Sequence, residues 1–88
     1  MAFEVEIKRK ALRFIESLDG KRKQRIGETV ILLKDDPVPF KKEDVIKLRG
    51  YDSTYRIRIG ELRIVYTVSW TERKILIHYV GPRGDAYE

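Results

Sequence analysis

Three arginines fall within the stretch YRIRIGELRIVY, Tyr55 to Tyr66: Arg56, Arg58 and Arg63. A guanidinium is permanently charged and presents its N–H groups as a planar fork, a shape that matches phosphate oxygens. It does not exchange its proton near neutrality, because its pKa lies above about 12. The chemistry open to such a set is therefore electrostatic: holding a phosphate and stabilising the negative charge that builds on it as it reacts. For the three to act together they must share one surface.

A hairpin supplies that surface. Gly60-Glu61 reads as a two-residue turn with Gly at the first central position, as type II′ prefers. Ile59 then pairs with Leu62, Arg58 with Arg63, Ile57 with Ile64, Arg56 with Val65 and Tyr55 with Tyr66. Side chains alternate between faces along a strand. One face accordingly takes Tyr55, Ile57, Ile59, Leu62, Ile64, Tyr66, Val68 and Trp70, and the other Arg56, Arg58, Arg63, Val65, Thr67 and Ser69. Arg58 opposite Arg63 is a like-charge pair, which destabilises a sheet by roughly 0.2–1 kcal/mol. Long side chains splaying into water would screen much of that cost, and for one arginine this is the simpler reading. Three on one face, with Arg83 just beyond the last strand, point instead to an anion site.

The remaining elements must hold this hairpin in place. In FEVEIK the apolar Phe3, Val5 and Ile7 alternate with charged residues, the period of a half-buried strand. From Lys10 the period lengthens: Ala11, Phe14, Ile15 and Leu18 give a short amphipathic helix that stops at Asp19-Gly20. A second helix is expected from about Lys21 to Lys34, with Ile26, Val30, Ile31 and Leu33 as its apolar stripe. DDPVPFKKED breaks the pattern, since its prolines remove backbone donors. VIKL is either a short strand or the lead-in to one. Strands follow at Thr54–Ile59, Leu62–Trp70 and Lys74–Val80. A Thr71-Glu72 turn would put Ile75, Ile77 and Tyr79 on the apolar face, and Leu76, His78 and Val80 with the arginines; a longer turn through Trp70 and Arg73 fits as well. The order β-α-α-β-β-β predicts an α+β domain spanning 1–88, its helix pair covering one face of a mostly antiparallel, twisted sheet and leaving the other open.

Composition narrows the function classes. With 88 residues there is room for one small core and none for a large cofactor-binding architecture. No cysteine is present and His78 is the single histidine, so disulfide frameworks, thiolate metal sites and histidine clusters are excluded. No run of about 18 apolar residues occurs and MAFEVEIKRK lacks signal-peptide order, so a cytoplasmic location and no membrane partner are expected. The net charge of +5 favours a polyanionic partner, and residues 45–88, with eight basic and five acidic side chains, carry most of the imbalance.

At YRIRIGELRIVYTV followed by VGPRGDAY, the sequence resembles the RelE/ParE toxin superfamily, and RelE-like mRNA interferases in particular. The resemblance covers nearly the whole chain. It implies the toxin of a type II toxin-antitoxin system, bound by a RelB-like cognate antitoxin as a hetero-oligomer. It further implies cleavage of messenger RNA on the ribosome without metal or cofactor, by attack of the ribose 2′-hydroxyl on the adjacent phosphate. By the same resemblance Arg56 and Arg58 match the paired basic positions, Arg63 the phosphate-stabilising arginine, Arg83 the arginine near the leaving oxygen, and Tyr87 the tail aromatic. Two departures stand out. The first paired position is often lysine in RelE-like toxins, whereas Arg56 is a poor base, and Pro82 stands where many relatives have histidine. His78 shares the open face and could accept a proton, although a lone histidine late in a strand more often simply packs; it is left outside the catalytic set.

Lys41, Lys42, Lys47 and Arg49 are candidate contacts for ribosomal RNA phosphates, with a solvated loop as the plainer explanation. Lys21, Arg22, Lys23 and Arg25 oppose a helix macrodipole and are expected in solvent, while Trp70, Tyr55 and Tyr66 are expected in the core. Two other functions fit the same scaffold: a ParE-like poison of DNA gyrase, which needs no ribonuclease constellation and against which the full arginine set and terminal tyrosine argue, and a non-catalytic RNA- or antitoxin-binding module, which the absence of an obvious general base keeps open.

Overall fold

Period-two and period-3.6 segments succeed one another along the chain, and each folds as its period dictates. The computed structural model describes residues 2–82. Its elements are β1 (Glu4–Ile7), α1 (Arg9–Glu16), α2 (Gly20–Asp35), β2 (Asp44–Lys47), β3 (Thr54–Ile59), β4 (Leu62–Ser69) and β5 (Lys74–Pro82). They build a five-stranded sheet in the order β1-β5-β4-β3-β2, antiparallel except where β1 runs parallel to β5. VIKL thus belongs to a strand: β2 pairs with β3 and closes that edge.

Both helices lie on the apolar face. Ala11 and Ile15 of α1, and Ile26 and Leu33 of α2, are buried in one core with Phe3, Val45, Ile57, Leu62, Ile64, Tyr66, Val68, Ile75, Ile77 and Val80. Asp19 caps α2, its carboxylate accepting from the Arg22 backbone N–H at 3.3 Å. Two expected core residues are corrected. Ile31 is 64% exposed, because it lies five positions past Ile26 while the buried face of α2 runs through Ile26, Thr29, Val30 and Leu33. Trp70 is 50% exposed, since it follows the end of β4 and meets Phe3 only edge-on, with ring centroids 5.7 Å apart. Tyr66 is fully buried, and its hydroxyl donates to the Pro37 carbonyl at 2.7 Å, satisfying the buried polar atom and pinning the proline-rich connection over the core.

The β3–β4 register is the one the turn predicts, residue for residue from Tyr55↔Tyr66 to Ile59↔Leu62. Gly60 has φ +59° and Glu61 is not in the left-handed region, as a type II′ turn requires. Between β4 and β5 the connection is the longer one, Trp70 to Arg73, with Arg73 left-handed at φ +55°. Val68↔Ile75 and Tyr66↔Ile77 pair as expected, but a bulge then intervenes: Val65 faces Tyr79 and Ile64 faces Val80. The inserted residue reverses the parity of the strand's end. Val80 therefore joins the core and Tyr79 moves to the arginine face, the opposite of the alternation read from the sequence.

Candidate functional site

The open face is a grid laid down by strand register. Asp44, Arg58, Arg63 and Gly81 form one row across β2, β3, β4 and β5, and Ile46, Arg56, Val65 and Tyr79 form the next. Thr54 and Thr67 stand opposite each other in a third row. His78 is the residue inserted by the bulge, so it shares this face with Tyr79 instead of alternating with it.

Arg56, Arg58 and Arg63 are all brought together, but they are not equivalent. Arg58 carries a counter-charge: its Nε and Nη2 donate to Asp44 Oδ2 at 2.8 and 2.7 Å. That carboxylate relieves the repulsion expected between Arg58 and Arg63. The pair is 53% and 44% exposed, so an incoming anion can compete for Arg58. Arg63 is held back toward the turn, its Nη1 donating to the carbonyls of Leu62 at 3.3 Å and Gly60 at 3.5 Å. Arg56 and Arg63 are both half-buried, with their Nε atoms shielded from water, while Val65, opposite Arg56 and two residues along β4 from Arg63, is fully buried and floors the site. Guanidinium groups anchored on a dry floor are oriented before any ligand arrives, which is what electrostatic stabilisation of a phosphate needs.

Polar groups line the other side of Val65. The Tyr79 hydroxyl donates to the Pro82 carbonyl at 3.2 Å, and its ring covers Gly81 closely enough that a Cβ there would lie 2.5 Å from the hydroxyl oxygen. Glycine at 81, the residue paired with Arg63, is what leaves room for the Tyr79 ring. His78 Nε2 is 2.7 Å from Thr67 Oγ1, which is 2.8 Å from Thr54 Oγ1, and Thr54 donates to the Asp52 carbonyl at 3.1 Å. Burial pushes the His78 imidazole below its ordinary pKa, and the Lys8 ammonium adds to the effect, so the ring is neutral at pH 7.

Arg83 and Tyr87 lie outside the described residues. Lys41, Lys42 and Arg49 are exposed loop residues, and Lys47, paired with Tyr55, belongs by register to the helix side of β2 and not to the arginine face. Of the basic residues on α2, Arg25 is engaged structurally: Nη1 and Nη2 donate to Glu43 at 3.0 and 2.8 Å, and Nη1 to Thr29 at 2.7 Å. A groove of about 740 Å³ lies between α2 and the Gly60-Glu61 turn, lined by Arg22, Arg25, Ile59 and Leu62 among others, so it opens on the helix side and not over the arginines. No described helix is long and apolar enough to cross a membrane. Tyr79 and Asp44 are the site residues that sequence reasoning missed. The first is hidden by the bulge, and the second by its place in a charge-rich connection.

Comparison with known proteins places the chain in a family of toxins. The family model for the ParE toxin of type II toxin-antitoxin systems, parDE, matches residues 5–87. The RelE1 protein of Methanocaldococcus jannaschii is 36% identical over 88 residues, covering 100% of this chain and 98% of the relative. RelE in the archaeal RelE-RelB complex of Pyrococcus horikoshii superposes with a TM-score of 0.86 at 36% identity, covering 96% of this chain and 98% of that one. The fold is also that of the toxin in the intact E. coli RelBE complex, with a TM-score of 0.78 at 20% identity over 93% of this chain and 98% of that one. Both structures contain the toxin together with RelB antitoxin.

Proposed function

Because the chain belongs to the RelE/ParE toxin superfamily and is a RelE-family toxin of a type II toxin-antitoxin system, we propose that it is a ribosome-dependent, metal-independent endoribonuclease. It cuts messenger RNA by attack of a ribose 2′-hydroxyl on the adjacent phosphate. The observation that carries this reading is the anchored arginine face: Arg56, Arg58 and Arg63 converge on one side of the sheet, opposite the helices, over a buried valine floor. Charge on a pentavalent phosphate is met there by guanidinium groups already in position. Arg83 and Tyr87 complete the site by resemblance, the first beside the leaving oxygen and the second stacking on a base. Lys41, Lys42, Lys47 and Arg49 contribute at most to docking on ribosomal RNA, where each phosphate contact adds salt-dependent affinity. A RelB-like antitoxin holds the toxin inactive as a hetero-oligomer.

Primer extension on translated message tests the proposal. Wild-type protein yields ribosome-dependent cuts, and Arg63→Ala or Arg83→Ala reduces them by about 100-fold or more, the usual scale for removing one transition-state charge partner. Intact message at saturating toxin would sink the reading, and inhibition of gyrase supercoiling without cleavage would assign the ParE-like alternative.

A further inference from the structure

The arginines supply charge and no proton acceptor, so the 2′-hydroxyl needs a base from elsewhere on the face. We propose that His78 is that base, acting through Nδ1, and that the Thr67–Thr54 hydroxyl chain fixes the tautomer that makes it one. The assignment rests on the ribonuclease reading above.

Hydrogen-bond polarity carries the argument. Each threonine hydroxyl has one proton to give. The chain ends on the Asp52 carbonyl, which can only accept, and Thr54 Oγ1 donates to it at 3.1 Å. Thr54 must then accept from Thr67 across the 2.8 Å contact. With its proton so committed, Thr67 Oγ1 accepts from His78 Nε2 at 2.7 Å. Nε2 therefore bears the hydrogen, and the basic lone pair is on Nδ1. A hydrogen-bond partner on one ring nitrogen, fixing which nitrogen bears the proton, is how catalytic imidazoles are oriented generally.

Position agrees with polarity. The bulge places His78 on the arginine face, one strand from Val65 on one side as Arg56 is on the other. Among the described residues, the charged and titratable groups sharing its surroundings are Glu6 from β1, Lys8 just before α1, Arg56 from β3 and Tyr79 beside it. Burial and the Lys8 charge keep the ring neutral and able to take a proton at pH 7.

In the step so assigned, Nδ1 takes the 2′-hydroxyl proton as the 2′-oxygen bonds to phosphorus. The bond from phosphorus to the 5′-oxygen breaks, leaving a 2′,3′-cyclic phosphate. The departing 5′-oxygen takes a proton from solvent, and the imidazolium returns its proton to solvent. The reaction is an internal transesterification and consumes no co-reactant.

Two measurements on the full chain test the assignment. As His78 is the single histidine, its ring nitrogens are read without ambiguity by long-range ¹H–¹⁵N NMR. Wild type shows a protonated Nε2 and an unprotonated Nδ1; Thr67→Val abolishes that preference and Thr67→Ser restores it. A protonated Nδ1 in the wild type overturns the proposal. In single-turnover cleavage at saturating ribosomes, His78→Gln slows the cut by about 100-fold or more and removes the acid limb of its pH profile, without weakening ribosome binding. Thr67→Val slows cleavage in the same assay and Thr67→Ser recovers it. Equal rates for wild type and a folded His78→Gln overturn the base assignment and leave the ribonuclease reading standing. A wild type that leaves message intact removes that reading, and the base role with it.

Discussion

Asp44 sets how much of the arginine face a polyanion can use. It sits directly opposite Arg58 and holds two of its N–H groups, so Arg58 enters a complex only by exchanging a carboxylate for a phosphate. Asp44→Asn removes the competitor and also the charge that offsets Arg63. Stability is expected to fall by at most about 1 kcal/mol, because both side chains are largely exposed. Affinity for single-stranded RNA is expected to rise, and one additional phosphate contact would steepen its salt dependence by about 0.7 in log–log slope. Urea unfolding and RNA titration across a salt series check both, and an unchanged slope would show that Arg58 does not meet phosphate. The arginines themselves are legible from YRIRIGELRIVY because a glycine-led two-residue turn admits one register. Asp44 is not, because DDPVPFKKED has no periodicity from which to pair it.

At the scale of elements, the connection that delivers Asp44 is held by a clamp. The Glu43 side chain is 7% exposed and accepts from both Nη atoms of Arg25 and from the Thr29 hydroxyl, fastening the lead-in of β2 to the side of α2. The Arg25 hydrogen bonds hold the Glu43 carboxyl below its ordinary pKa. Its stabilising contribution is therefore complete above the unfolded value of about 4.3 and is lost as the pH falls through the lower folded value. Glu43→Gln should cost about 1–2 kcal/mol at pH 7, toward the low end for charged hydrogen bonds because Arg25 is 43% exposed. The gap between wild type and variant should narrow steadily in denaturation curves taken toward pH 3; a constant gap would show that charge is not what the clamp uses. Legibility divides the same way among elements. Strands β3 and β4 announce themselves by alternation, whereas the bulge at His78 leaves every residue type unremarkable and still exchanges the faces of Tyr79 and Val80. An inserted residue shifts parity without altering composition, so period-two reasoning holds only up to the bulge.

Across the whole molecule the sheet separates two tasks. Core residues from both helices and all five strands meet on one face, while the arginines, His78 and Tyr79 occupy the other, with Val65 the one fully buried side chain among them. Adjacent residues on β4 should therefore fail in different ways. Ile64 is fully buried, and Ile64→Ala should cost about 2–5 kcal/mol by leaving a cavity. A domain this small carries only about 5–10 kcal/mol in total, so that variant should unfold at much lower urea yet still cut message when assayed at a temperature where it remains folded. Arg63→Ala, one residue away on the opposite face, should keep its urea midpoint within about 1 kcal/mol of wild type and lose cleavage at every temperature. If the two variants lost stability equally, the arginine face would be part of what holds the sheet together, and loss of cleavage in Arg63→Ala could no longer be ascribed to phosphate chemistry.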